Sequence, residues 1–510
     1  MERNTVRIWG GRLVLVTAAC LGFLMLGAPS SFAQIDAGAV LGTVSDTSGG
    51  RISGATVTLT NEGTNASVSA TTGDDGGYKF TPVKIGTYKV TVTIQGFQTT
   101  TTHGITVNVG QNVVTDFTLK PGSVSETVEV TTSAPVLQSQ DASVGQVIDS
   151  KNVNDLPLNG RNFTFLAQLA AGVNTPQADT RGNAATGAFA ANGNRPAQNN
   201  YLLDGIDNNS DTVDFLNGTN FVVLPPVDAV AEFKVQTSGF SAEYGRSGAA
   251  VLNATIKSGT NEFHGAVWEF LRNDKFDAAD WFENAQGIKK GAYRQNQFGV
   301  SGGGPIIKNK IFFFGDYEGL RRRQGTVLTG TVPTLAERNS GFTDFSDLLN
   351  NVGSTRTDAL GRTFVGGTVF DPATTRAVGT NFVRDPFPGN ILPAGRLDPN
   401  AIALLNLFPL PTSGGVTQNF ASSPKLKEDR NAFDTRMDIN FSQNNQLFFR
   451  FSYVDDPQLI PGIFGGVADG GGFQQGNQTA NAQQSALGFT HTFSPTLINE
   501  VRAGLNYLHT

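Results

Sequence analysis

The sequence predicts a mainly β protein: behind a signal peptide come a small β-sandwich, an α+β segment and a partial antiparallel transmembrane β-barrel. Three observations carry this. From Gly38 to about Pro121, short strands alternate apolar and polar positions between turn residues. Beyond Gly259, longer segments alternate in the same way, near the roughly 9 to 11 residues that a tilted strand needs to cross a hydrocarbon layer. The connections between those longer segments are long and short by turns, the pattern of a chain that crosses one membrane repeatedly.

The first 33 residues read as an export signal. Arg3, Arg7 and Arg12 form a basic lead, Leu13 to Leu26 is an apolar run, and Ser31-Phe32-Ala33 before Gln34 is a small-x-small cleavage site. The run is shorter than the roughly 17 to 25 apolar residues of a spanning helix. Cys20 is the only cysteine and lies inside this segment, so the mature chain holds no disulfide framework and no Cys-ligated metal. Sixty glycines and 37 phenylalanines accompany only 16% charged residues, against about 25% in soluble proteins. That composition suits a large β protein with long loops. A net charge of −6 supplies no basic patch for nucleic acid.

In the sandwich, residues 38–121, the inward positions are Val57 and Leu59, then Tyr88, Val90, Val92 and Ile94, then Val113, Phe117 and Leu119. Turn signals at Ser48-Gly49-Gly50 and Asp74-Asp75-Gly76-Gly77 divide the strands. Gly42-Thr43-Val44-Ser45-Asp46, Gly54-Ala55-Thr56-Val57, Gly77-Tyr78-Lys79-Phe80 and Gly86-Thr87-Tyr88 with Gly96-Phe97 resemble the carboxypeptidase regulatory-like domain found ahead of many outer-membrane receptors. The resemblance implies a structural or regulatory role and no peptidase.

Residues 125–258 form the α+β segment, with a short apolar helix expected from Phe163 to Ala171. Much of the rest is Asn, Gly, Ala and Asp without periodicity, a composition that needs an enclosing wall to be ordered. Three stretches resemble the plug of TonB-dependent receptors, in the branch with an N-terminal regulatory-like domain. They are Leu156 to Phe163 around Asn159-Gly160-Arg161, Tyr201 to Gly205 with Asp204-Gly205, and Ala231 to Val235 followed by Tyr244-Gly245-Arg246. The resemblance implies outer-membrane active transport of a scarce solute such as a metal chelate, oligosaccharide or peptide. It also implies a TonB-type inner-membrane complex that pulls on a short segment near the plug's start. Glu126-Thr127-Val128-Glu129-Val130-Thr131 has the right chemistry, since an extended strand adds to a partner's sheet edge through main-chain hydrogen bonds. The same residues read equally well as the first plug strand.

Seven strands are expected in the barrel segment, 264–510: about 264–272, 294–307, 311–321, 431–441, 447–454, 484–493 and 497–508. Met437, Ile439 and Phe441 share a lipid side against Arg436, Asp438 and Asn440; Leu447, Phe449, Phe451 and Tyr453 oppose Arg450 and Ser452. Phe312, Phe314 and Phe448 break the pattern. Short connections at Lys308-Asn309-Lys310, Ser442 to Gln446 and Ser494-Pro495-Thr496 alternate with long ones at about 273–293, 322–430 and 455–483. Single-chain barrels have even strand counts and an open edge leaves backbone groups unpaired in lipid, so the expectation is a barrel with further strands beyond Thr510.

No enzyme emerges. His103, His264, His491 and His509 make no metal-ligand spacing, and no cofactor motif is present. Gly302-Gly303-Gly304 reads as a kink or close packing on the wall. Asp204, Asp207 and Asp211, with Asn208 and Asn209, form an oxygen-rich cluster whose spacing departs from the helix-loop-helix calcium pattern; a turn cluster is the plainer reading. Asp398-Pro399 opens a capped helix over Asn400 to Phe408 in the longest loop. A passive channel would share the wall but has no use for a plug, and an adhesin of stacked sandwiches would repeat the first domain.

Overall fold

The computed structural model describes residues 37–122, 127–131, 143–158, 160–174, 189–210, 221–279, 281, 284, 290–325, 327–469, 475–494 and 497–510. The signal segment 1–33 and the site residues Glu126, Asn159 and Asp211 lie outside the described residues.

Period-2 patterning produces the sandwich. Its strands are β1 (Gly38–Asp46), β2 (Thr56–Asn61), β3 (Ser67–Thr71), β4 (Gly77–Val83), β5 (Gly86–Thr93), β6 (Thr99–Val107), β7 (Asn112–Val114) and β8 (Phe117–Leu119). One sheet runs β4-β1-β7, with β8 also on β1. The other runs β3-β2-β5-β6 and gains one more strand, β9 (Thr127–Thr131), in parallel on the edge of β6. Val57, Val90 and Val92 are fully buried between the sheets, as their alternation predicts.

The plug is a five-stranded sheet with short helical pieces. Its strands are β10 (Val144–Asp149), β11 (Asn200–Leu203), β12 (Ile206–Asp207), β13 (Val230–Ser238) and β14 (Val251–Ile256), in the order β10-β13-β14-β11-β12. The segment expected as an apolar helix is a 3-10 turn, Phe163–Leu169, with the Asn162 side chain accepting from the Thr164 N–H. Phe163 and Leu166 fill the plug core against Phe233 and Ile148. Burying this face, more than helix propensity, holds so short an element.

Seven antiparallel strands in sequence order form the wall. They are β15 (His264–Asn273), β16 (Tyr293–Ile307), β17 (Ile311–Gly325), β18 (Lys425–Ser442), β19 (Asn445–Ile460), β20 (Gly476–Ser494) and β21 (Leu497–His509). All seven expected strands are present, and β18, β19 and β20 run past their expected ends at the long-loop side. Those extensions, such as Lys425 to Arg430 and Asp455 to Ile460, carry charged or amide side chains on both faces, so no regular apolar period marks them although their backbones still pair. The outer face is apolar and open, with Phe449 46% and Leu505 63% exposed. The inner face carries Asp434, Arg436, Arg450 and Gln484, all buried against the plug.

The three phenylalanines that broke the alternation belong to the inner face. Phe314 joins the plug core, Phe312 is 1% exposed, and Phe448 lies beneath the Arg436 and Arg502 guanidinium groups at 5.1 and 5.9 Å. Tertiary cover by the plug makes apolar residues acceptable on a side that would otherwise face water. The triple glycine is a packing device: a Cβ on Gly303 would press on the Phe313 backbone and the Phe314 ring, and one on Gly304 on the Phe263 ring.

Candidate functional site

The expected plug motifs converge on the plug–wall interface. Leu203-Asp204-Gly205-Ile206 is a two-residue hairpin turn with positive φ at both Asp204 (50°) and Gly205 (70°), the geometry that Asp-Gly favours. This turn aims a fully buried carboxylate at the wall. Asp204 meets Arg436 of β18 at 2.9 Å and Arg450 of β19 at 2.7 Å, and its Oδ1 also accepts from the Ile256 N–H at 3.1 Å. Its carbonyl accepts from Arg502 of β21 at 2.9 Å.

The network continues along the inner wall. Arg436 pairs with Asp438 at 2.9 Å; Asp438 takes the Ser258 hydroxyl at 2.7 Å and Lys84 of the sandwich at 3.2 Å. Gln484 donates to the Asp207 carbonyl at 3.0 Å, and Asn506 donates to the same oxygen at 2.6 Å. Charges so deeply buried are tolerated only when each is paired and hydrogen-bonded. Sequence alternation placed Arg436 and Arg450 on the inner face, but nothing in it identified Asp204, more than two hundred residues away, as their partner.

Arg161 forms a second bridge. It pairs with Asp228 of the plug, reaches Glu318 of β17 at 3.7 Å and lies over the Phe270 ring of β15 at 4.2 Å. Gly160 beside it has φ +77° and Arg161 itself φ +50°, a left-handed pair that turns the chain toward the wall. The third motif stays within the plug: Tyr244 packs on Leu202 and Val251, Gly245 accepts from the Asn200 side chain, and Arg246 meets Asp207 at 2.9 Å with both side chains about half exposed. The oxygen cluster offers little to a cation, because guanidinium groups already take the carboxylates of Asp204 and Asp207. Among the described residues no group of three His, Cys, Asp or Glu side chains could hold a metal.

The candidate coupling segment does not begin the plug sheet. Thr127–Thr131 is the edge strand β9 of the sandwich, in register from Thr99 opposite Thr127 to His103 opposite Thr131. β10 is the first strand of the plug sheet.

The sandwich itself docks at the short-turn end of the wall. Asn65 donates to Asn309 at 3.1 Å, Gln443 to Ser67 at 3.3 Å and the Asn261 N–H to the Gly63 carbonyl at 2.9 Å. Against the plug, the Val109 N–H donates to Glu232, and Lys234 donates to the Gly110 carbonyl at 3.0 Å. Burial pushes the Glu232 carboxyl up to about 7, against the pull of the Val109 N–H and Lys234. A cavity of 760 Å³ lies where the three parts meet, lined in part by Lys84, Glu232, Lys257, Phe312, Asp438 and Phe448.

Three family models match the chain: an outer membrane beta barrel domain over residues 255–510, a carboxypeptidase regulatory-like domain over 39–120 and a TonB-dependent receptor plug domain over 137–252. The TonB-dependent transporter Oar of Myxococcus xanthus is 25% identical over 319 residues, which cover 60% of this chain and 29% of that protein. The chain thus spans under a third of the curated relative it matches. Among solved structures, the outer membrane transporter YddB of Escherichia coli aligns with a TM-score of 0.42 at 11% identity, covering 72% of this chain and 39% of that one. A ferric enterobactin receptor of Pseudomonas aeruginosa aligns at 0.39 and 12% identity, covering 72% and 41%.

Proposed function

From the premise that the chain belongs to the outer-membrane β-barrel family, in its TonB-dependent receptor form, we propose that this protein takes up a scarce solute across the outer membrane by energised removal of its plug. One observation carries the reading: a sheet distinct from the wall's own lies against the inner face of an apolar-skinned wall and is fixed there by the buried Asp204–Arg436–Arg450 cluster. A passive pore gains nothing from such a cluster. An energised transporter needs a plug that is secure at rest and released by work.

In this reading the apolar outer face meets outer-membrane lipid, and the long loops 274–292, 326–424 and 461–475 lie outside the cell. The sandwich, on the short-turn side, lies in the periplasm. Thr127–Thr131, with Glu126, is the segment that a TonB-type inner-membrane complex engages by strand addition. The solute is a metal chelate, oligosaccharide or peptide, and no catalytic step or cofactor is involved.

The test deletes residues 126–131 and follows labelled ferric chelates, oligosaccharides and peptides into cells with and without a protonophore. Loss of the protonophore-sensitive component supports energised uptake. Uptake by the intact protein that the protonophore leaves unchanged would establish passive diffusion instead.

A further inference from the structure

We infer that the N-terminal sandwich is a brake on energy coupling: it parks the coupling segment on its own sheet edge, so that the segment must be exchanged off β6 before the plug can be pulled. This deepens the function proposed above and rests on it. The carrying observation is the parallel pairing of Thr127–Thr131 with Thr99–His103, which makes β9 the last strand of the sheet β3-β2-β5-β6-β9. A strand in that position has already used one of its two hydrogen-bonding edges on its own protein.

Where a pull on β9 would go follows from the contacts of the sandwich. While β9 is paired, tension enters β6 and the sandwich. The sandwich is anchored to the wall through Lys84–Asp438 at 3.2 Å and Asn65–Asn309 at 3.1 Å, and to the plug through Lys234 and Gly110 at 3.0 Å. Wall and plug are then loaded together, and no net force separates them. Once β9 leaves β6, the next strand along the chain is β10, and tension reaches the plug sheet alone. Strand exchange onto a partner's sheet replaces one set of main-chain hydrogen bonds with another, so release needs little beyond the partner's own edge.

Pinning β9 in place tests this. Thr101 and Glu129 are register partners, and Cys20 is the chain's only cysteine. The double variant Thr101→Cys/Glu129→Cys in the full-length protein is oxidised in membranes. It is then offered the purified periplasmic domain of a TonB-type protein, with heat-modifiable gel migration reporting an intact fold in both redox states. The expected result is efficient disulfide formation, binding at least tenfold weaker in the oxidised form, and recovery on reduction. Equal binding in the two states, or failure of the disulfide to form, overturns the brake. A deletion of 126–131 that binds the domain as well as the reduced protein overturns the coupling assignment itself, a separate outcome.

Discussion

Replacing Asp204 with asparagine isolates the electrostatic part of the plug's attachment, because the two side chains have nearly the same shape. The variant keeps the turn and an acceptor for the Ile256 N–H, but it removes the anion directly paired with Arg450, a side chain with no exposed surface, and leaves it only Asp434, reached through the Ser452 hydroxyl. Arg436 retains Asp438 at 2.9 Å, so one guanidinium and not two loses its direct ion pair. Breaking a buried pair by removing one partner costs about 3–5 kcal/mol, and the retained acceptor places Asp204→Asn near ~3 kcal/mol. That corresponds to roughly a hundredfold loss in the equilibrium protecting the plug strands, at about 1.4 kcal/mol per factor of ten. Amide hydrogen exchange of β11 and β14 in the full-length protein reads this directly, since opening free energy sets protection there. Asp207→Asn is the internal reference: its pair with Arg246 has both side chains about half exposed, which limits the change to under about 1 kcal/mol. A loss of protection below about fivefold in Asp204→Asn, or equal losses in the two variants, would refute the view that the buried cluster secures the plug.

Two further outcomes follow from the same geometry. Docking of the sandwich on the plug strengthens as pH falls: burial raises the Glu232 carboxyl from 4.5 to about 7, so the docked form holds a proton through that window that the undocked form gives up. Above about 7 the carboxylate is ionised in both forms and its burial opposes docking. Exchange protection at Val109 and Gly110 should therefore be greater at pH 5.5 than at pH 8, with the difference lost in Glu232→Gln; a flat profile in the native chain would remove Glu232 from the interface energetics. On the outer wall, Phe449→Arg puts a cation on a face read as meeting lipid and should cost ~2–4 kcal/mol at mid-bilayer depth, visible as loss of the heat-modifiable band in membranes. Normal assembly of that variant would contradict the lipid-facing assignment.

What the sequence determined by itself is whatever depends on neighbours along the chain. Alternation in Met437, Ile439 and Phe441 against Arg436 and Asp438 set the two faces of β18, because successive strand side chains point to opposite sides. The Asp204–Asp211 cluster read as a turn, and Asp398 as a helix cap, whose carboxylate accepts from the Asn400 N–H at 2.8 Å over the helix Pro399–Leu405. That helix ends short of Phe408, where Asn406 closes it. The seven wall strands were legible for the same local reason.

Tertiary structure decided which surfaces meet, and no local period encodes that. Phe312, Phe314 and Phe448 contradicted the alternation until plug and sandwich covered them. Arg436 and Arg450 read as water-facing until Asp204 arrived from the plug, and nothing near Glu232 in the chain marked the Val109 N–H that closes over it. The pattern of Thr127–Thr131 fixed that it is extended and left its partner open, since a main-chain ladder accepts any strand of the right length. Only the folded chain put β6 beside it.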